Sequence, residues 1–199
     1  RSHTVEDDSV NFPGYMGDFS VDQNGHVYVM SGGSRGLQEI FVYGPEGQLM
    51  DKVGGKGRGP AEFQIMANID IRSDTLYVYD NILQRFSLFS TESLELIDTI
   101  IPQQQAIKQP DEGIFYEIGS EFYPLKNGNI ILRAEENYIV RAIKQGKGDG
   151  PPAGEANHYY YLMDGNGKVK PDPVYQSGDN RFGKAGPYRK INADLPHTL

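Results

Sequence analysis

Short runs in which apolar and polar residues alternate make up much of the chain. One segment, Phe19–Met30, contains an alternating run, the turn sequence Asp-Gln-Asn-Gly and a run rich in Tyr and Val. Asn68–Tyr79 repeats this order, with Arg-Ser-Asp as its turn. Alternation with a period of two is typical of strands with one buried face, and polar turn sequences between two such runs are typical of hairpins. The pattern therefore predicts antiparallel β-structure.

The predicted strands fall into three units of four. The first unit contains Gly17–Asp22, His26–Met30, Gln38–Tyr43 and Leu49–Val53. The second contains Ala67–Ile71, Leu76–Asp80, Arg85–Phe89 and Leu94–Ile100. The third contains Glu121–Leu125, Asn129–Arg133, Tyr159–Met163 and Lys168–Tyr175. No segment keeps a 3.6-residue apolar period, so we predict no helix.

The three units are repeats of one another. Tyr28, Tyr77 and Ile131 take equivalent positions in them and lie 49 and 54 residues apart. Repeats of about 40 to 50 residues, each with four strands, are typical of propeller blades. We therefore predict an all-β fold, a β-propeller of four-stranded antiparallel blades, with about three blades in this chain.

The blade boundaries follow from the strands and from the glycine-rich segments between them. We treat 1–199 as one propeller domain, with blade one at about 17–53, blade two at about 67–101 and blade three at about 121–175. An insertion at 144–158, too rich in Gly and Pro for a regular element, interrupts the third blade. Residues 176–199 are expected to be a linker or the start of a further blade.

The connector between the first two blades carries a motif. It reads Gly-x-Gly-x-Gly-Pro-x-Glu-Phe over Gly55–Phe63, and a strand, an acidic turn and Leu-Tyr-Val-Tyr-Asp follow it. This combination resembles the six-bladed β-propeller family of Bacteroidetes-type bacteria, relatives of the NHL-repeat propellers. The resemblance covers about 17–101 well and 121–175 loosely.

The resemblance implies a six-bladed ring and an exported or lipid-anchored protein, located in the periplasm, at the outer membrane or outside the cell. Six blades need roughly 240 to 300 residues at this repeat length, and the chain has 199. The remaining blades are expected from the same longer polypeptide or from a second copy. We favour the longer polypeptide.

Composition narrows the possible functions. The net charge of −8 argues against a nucleic-acid partner, which would need clustered Lys and Arg. The absence of Cys excludes a disulfide framework, a zinc–thiolate site and a Cys nucleophile. No apolar run approaches the 18 residues of a membrane-spanning helix.

Several segments match catalytic or metal-binding motifs only in part. The connector lacks the Lys-Ser/Thr pair and the following helix of a phosphate-binding loop. The segment Asp164–Lys168 begins like a calcium loop, but Tyr175 stands where the bidentate Glu is required. Gly32-Gly-Ser34-Arg-Gly36 matches a serine nucleophile motif by letter, yet it lies between antiparallel strands. The four His residues are scattered, without ligand spacing. We predict no cofactor, no metal and no catalytic residue.

A non-enzymatic binding or scaffold role is therefore our first expectation, in which a protein partner or small ligand contacts one loop face of the propeller. Loops that join the second strand to the third, and one blade to the next, lie on the same face. The candidate contact residues on that face are Arg35, Arg58, Glu62, Asn81, Gln84 and Glu135. We also expect Arg58 and Glu62 to fix the connector through contacts with backbone or with each other.

Two other classes stay open. One is a propeller enzyme of lactonase or lyase type, with a metal on the central axis. The other, which the family resemblance permits, is an accessory subunit of a cell-envelope assembly for uptake or secretion. Stoichiometric metal in the purified protein would favour the enzyme, and native co-purification would favour the subunit.

Overall fold

Twelve β-strands form the described part of the protein. The computed structural model describes residues 16–32, 36–103, 116–136 and 157–178. The strands are β1 Asp18–Val21, β2 Val27–Ser31, β3 Glu39–Tyr43, β4 Leu49–Gly54, β5 Met66–Arg72, β6 Thr75–Asp80, β7 Arg85–Ser90, β8 Leu96–Ile100, β9 Tyr116–Pro124, β10 Ile130–Glu136, β11 Asn157–Met163 and β12 Tyr175–Gly178. These residues contain no helix, and so no helix that could cross a membrane.

The strands make three four-stranded antiparallel sheets. Blade 1 has the order β1-β2-β3-β4, blade 2 the order β5-β6-β7-β8 and blade 3 the order β9-β10-β11-β12. Each blade is thus a series of hairpins, as the repeat predicted. Hairpin turns need residues at positive φ, and Gly25 and Gly47 supply them in blade 1, with φ of 82° and 84°.

Neighbouring blades pack face to face, and the pattern in β6 explains how. Leu76 and Val78 pack in a core shared with Tyr28 and Met30 of blade 1. Tyr77 and Tyr79 point the other way, into a core shared with blade 3. Side chains of a strand alternate between faces, so a strand covered on both faces must be apolar at nearly every position. That is why Leu-Tyr-Val-Tyr is almost continuously apolar.

Aromatic rings continue the packing from blade 2 to blade 3. The ring centroid of Phe86 lies 4.8 Å from that of Tyr79 and 4.9 Å from that of Phe122, the second contact being edge-on at 83°. Edge-to-face pairs at this separation contribute about 0.5–1.5 kcal/mol beyond the buried area. The stack therefore helps to hold the two blades at a fixed spacing.

The third blade differs from the sequence-based expectation at its first and last strands. β9 begins at Tyr116, before the predicted start of this strand at Glu121. The fourth strand is Tyr175–Gly178 rather than 168–175. Pro171 and Pro173 explain this difference, because proline has no N–H to donate to a neighbouring strand. Only the last two residues of the expected insertion, 157–158, are described, and they begin β11. The expected linker at 176–199 contributes its first three residues to β12, and its remainder lies outside the described residues.

Candidate functional site

The loops predicted as a binding face lie together at one end of blades 1 and 2. In blade 1, Ser31 pairs with Glu39, and Glu39 with Gly54. In blade 2, Met66 pairs with Asp80, and Asp80 with Arg85. These pairs place the β2–β3 loop, the β4–β5 connector and the β6–β7 loop at the same end of the sheets. We call the described residues 31–32, 36–38, 54–65 and 80–85 the loop face.

Gln38 joins the two blades at this face. Its side chain is buried, its Oε1 accepts a 2.8 Å hydrogen bond from the backbone N–H of Met66, and its Nε2 donates to Gly36 O at 3.2 Å. Its backbone has a φ of 64°, in the left-handed region. A non-glycine residue persists there only where its surroundings determine the conformation, and here both ends of the side-chain amide are bonded.

The connector folds back on itself around Phe63. Lys56 and Phe63 form a parallel β-bridge, with Phe63 N–H donating to Gly55 O at 2.8 Å and Gly57 N–H donating to Phe63 O at 3.0 Å. The Phe63 side chain is fully buried. A Cβ added to Gly54 would lie 2.7 Å from the Phe63 ring. The glycines therefore allow the chain to cross between blades while it covers the core.

Glu62 and Arg85 fix the connector. Glu62 Oε2 accepts a 2.7 Å hydrogen bond from the N–H of Gly59. Arg85 Nη2 donates to Gly59 O at 2.6 Å and to Glu62 O at 2.9 Å. The expectation that Glu62 contacts backbone is confirmed. The cation that does so is Arg85, whereas Arg58 is exposed and has no hydrogen bond or ion pair to a described residue.

Asp80 fixes the β6–β7 loop through hydrogen bonds to backbone N–H groups. Its carboxylate is fully buried, and Oδ1 accepts from the N–H groups of Ile82 and Leu83, both at 2.8 Å. Its Oδ2 accepts from the N–H of Gln64 at 2.6 Å. A buried carboxylate needs such donors, because an unpaired buried charge is very costly. The loop and the connector are thus tied to a single side chain.

The six predicted contact residues stand in different positions. Arg58, Asn81 and Gln84 are exposed on the loop face, and Glu62 is exposed while its carboxylate binds Gly59. Arg35 lies outside the described residues. Glu135 is in β10 and pairs with Glu117, but its side chain lies outside what the structure describes.

Two exposed apolar side chains on this face were not among the six predicted contact residues. Leu37 is 53% exposed and Ile82 is 54% exposed. Leu37 precedes the buried Gln38, and Ile82 follows Asn81, whose N–H donates to Ile65 O at 3.0 Å. The neighbours of both residues therefore bind the end of the connector at Ile65 and Met66. The signals in the sequence were Leu37 between Gly36 and Gln38, and the pair Ile82-Leu83 between Asn81 and Gln84.

The opposite end of the blades holds a shallow cavity of about 260 Å³ between blades 1 and 2. His26, Tyr28, Met50, Asp51 and Glu92 are among its lining residues. The Tyr28 hydroxyl donates to the carbonyl oxygen of Thr91 at 3.1 Å, across the two blades. Burial, and then the nearby Asp22 carboxylate, raise the pKa of Tyr28 to about 12.

Asp22 organises the turn beneath that cavity. Its Oδ1 accepts from the N–H groups of Asn24 and His26 at 2.9 Å, and its Oδ2 lies 2.8 Å from His26 Nδ1. Burial by itself raises the pKa of Asp22, but these hydrogen bonds and the charge of His26 outweigh it and lower the pKa. The His26–Asp22 pair thus holds the turn between β1 and β2.

The described residues contain no group of three His, Cys, Asp or Glu side chains that could hold a metal ion. Asp164, which begins the calcium-like sequence, instead accepts hydrogen bonds from the N–H groups of Asn166 and Lys168 within a hairpin turn.

Comparison with known proteins agrees with this architecture. A family model described as a 6-bladed beta-propeller matches residues 16–145. No curated protein matches the chain. Among solved structures, a protein of unknown function from Bacteroides caccae is 19% identical with a TM-score of 0.44, over 83% of this chain and 50% of that one. A putative exported protein from Bacteroides fragilis is 13% identical with a TM-score of 0.49, over 82% of this chain and 39% of that one.

The chain thus spans at most half the length of these two structures. The family match covers well over half of the chain, and its described residues form three consecutive four-stranded antiparallel blades. The chain belongs to the 6-bladed β-propeller family.

Proposed function

We propose that this propeller is a non-enzymatic binding protein that uses its loop face to contact another protein. The observation that carries the proposal is the exposure of Leu37 and Ile82, 53% and 54%, on the loop face. Apolar side chains that lie together within a polar rim mark protein contact sites, whereas single exposed ones are common. Leu37 and Ile82 fit the first case because their neighbours Gln38 and Asn81 bind adjacent residues, Met66 and Ile65.

The construction of the loops supports this role. The hydrogen bonds of Gln38, Asp80 and Arg85 hold the backbone of the loop face in one conformation. A surface that is already ordered loses less conformational entropy when a partner binds. Arg58, Asn81 and Gln84 are exposed polar residues of the same face, and so is Glu62, whose carboxylate accepts from Gly59 N–H.

We further propose that the protein is exported and acts as a scaffold or accessory subunit in the cell envelope. This part rests on the family resemblance carried by the connector motif. Fractionation of cells that produce the protein, with a cytoplasmic marker followed in parallel, tests it. Recovery in the cytoplasmic fraction would contradict export.

Site-specific photo-crosslinking tests the binding face. A photoreactive amino acid is placed at Leu37, at Ile82 and, as the control, at Ile97, which is 57% exposed on the outer strand β8 of blade 2. In cells that produce the protein, we expect crosslinked partners from positions 37 and 82 and not from position 97. Crosslinking that is absent at 37 and 82, or equal at all three positions, would contradict the proposal.

A further inference from the structure

Charge is distributed unequally between the two ends of blades 1 and 2. The loop face carries two exposed cations, Lys56 and Arg58, and neither makes an ion pair with a described residue. Its two carboxylates accept hydrogen bonds from the backbone. Glu62 accepts from Gly59 N–H, and the buried Asp80 accepts from three backbone N–H groups. With Arg85 as a third cation, the loop face carries three cations and two carboxylates, a formal charge of +1.

The opposite end is acidic. In blades 1 and 2, its turns 22–26, 44–48, 73–74 and 91–95 carry five carboxylates and no Lys or Arg. The carboxylates are those of Asp22, Glu46, Asp74, Glu92 and Glu95. With a net charge of −8 over the whole chain, a positive loop face is a local departure from the character of the molecule.

We propose that the loop face binds a protein segment that is both acidic and aliphatic, an inference that rests on the binding role proposed above. Aliphatic side chains of the segment contact Leu37 and Ile82, and its carboxylates pair with Lys56 and Arg58. Arginine suits this task because its planar guanidinium binds a carboxylate through two parallel hydrogen bonds.

Two other anionic partners fit less well. Nucleic acid needs a large basic surface to offset its phosphates, and here two cations stand on a chain of net charge −8. A small free anion would use the cations but would leave Leu37 and Ile82 without a role. An acidic segment uses all four side chains. It is also repelled by the acidic opposite end, which directs it to one face of the blades.

Fluorescence anisotropy with three synthetic peptides tests the proposal on the full chain. The first peptide alternates Glu and Leu between Ser spacers, the second has Lys in place of each Glu, and the third has Ser in place of each Leu. We expect the first to bind most tightly and to weaken as salt is added, because exposed ion pairs are screened. The second and third should bind at least about tenfold more weakly, which corresponds to about 1.4 kcal/mol.

Two double variants locate the effect. Lys56→Glu with Arg58→Glu should lower the affinity for the Glu-Leu peptide at least about tenfold. The matched control, Lys126→Glu with Lys168→Glu, makes the same change of charge at the opposite end and should leave the affinity within about twofold, since screened charges act over roughly 10 Å. Equal melting temperatures for the two variants confirm that both are folded.

The outcomes separate this inference from the binding role itself. If the Glu and Lys peptides bind alike, if both double variants behave alike, or if no peptide binds, the acidic partner is wrong. Crosslinking at positions 37 and 82 would in that case still support the loop face as a binding surface. If crosslinking there also fails, both proposals are wrong.

Discussion

The side-chain oxygen of Gln38 lies 2.8 Å from the backbone nitrogen of Met66 and accepts its hydrogen. The two residues are 28 positions apart and belong to different blades. Both are buried. The hydrogen bond therefore satisfies a backbone donor that no strand neighbour reaches, and it sets the position of blade 2 against blade 1 at the loop face.

Replacement of Gln38 by Met should destabilise the protein by about 1–3 kcal/mol. The change keeps the length of the side chain but leaves the buried N–H of Met66 without an acceptor, which costs its full desolvation. Gln84→Met is the matched control, because Gln84 also has a positive φ, 49°, but is exposed. Urea denaturation of the two variants gives the difference. Equal midpoints would show that the inter-blade hydrogen bond contributes nothing measurable.

Glycine 54 gives a second comparison, in which backbone strain and packing can be separated. Gly54 and Gly47 have similar φ, 94° and 84°. Ala at either position would therefore adopt an unfavourable left-handed conformation, which costs about 1–2 kcal/mol. A Cβ at Gly54 would also lie 2.7 Å from the Phe63 ring and 3.0 Å from Gln38 O, whereas at Gly47 it meets nothing within 4 Å.

We expect Gly54→Ala to be less stable than Gly47→Ala by about a further 1–3 kcal/mol, the usual cost of overpacking. Thermal and urea unfolding of both variants measure this. If the two variants lose the same stability, the contact of the connector with Phe63 is looser than the structure indicates.

The repeat and its strands could be predicted from the sequence, because their signals are local. β2 and β6 were placed within a residue of their observed bounds from the alternation of Tyr and Val alone. The links between blades could not be predicted in this way. The side chain of Gln38 accepts a hydrogen bond from Met66 N–H, and that of Asp80 accepts one from Gln64 N–H. Nothing near Gln38 or Asp80 in the sequence shows which distant N–H group will be the donor.

The position of the loops could also be predicted, because it follows from strand order. Arg58, Asn81 and Gln84 are exposed at that end, and their role as contact residues stays a prediction. The choice of Arg58 as the cation that fixes the connector was wrong. Arg85 does so because its register opposite Asp80 brings it beside Gly59, a relation that depends on the folded sheet.

Asp80→Asn should destabilise the protein by about 1.5–3 kcal/mol, the range for hydrogen bonds to a charged group. An Asn oxygen can still accept from Ile82 and Leu83, but its NH₂ group then faces the N–H of Gln64, donor against donor. Asp98→Asn is the control, because Asp98 is exposed on β8 and accepts only from the N–H of Thr99 next to it. Denaturation at neutral pH measures both changes, and an Asp80→Asn variant as stable as the control would contradict the role given to this carboxylate.

The Asp22–His26 pair should make part of the stability depend on acid pH. The pKa of Asp22 is lowered in the folded protein from the ordinary value of 3.8. A carboxyl group of this kind contributes stability that is fully present above its unfolded pKa and is lost as the pH falls through its lower, folded pKa. Asp22→Asn should therefore be less stable than the wild type at neutral pH.

That difference in stability should shrink as the pH is lowered below about 4. The wild-type carboxyl group then becomes protonated, and the stability that its ionised form contributes is lost. Urea denaturation of both proteins at a series of pH values between neutrality and about pH 3 gives the curve. Asp164→Asn is the control, since Asp164 accepts two backbone hydrogen bonds in a similar turn but has Lys168 where Asp22 has His26. At neutral pH, this control gives the cost of weakening two such backbone hydrogen bonds in a turn without a histidine. If the Asp22→Asn difference stays constant down to pH 3, the ionised carboxylate of Asp22 does not stabilise the turn between β1 and β2.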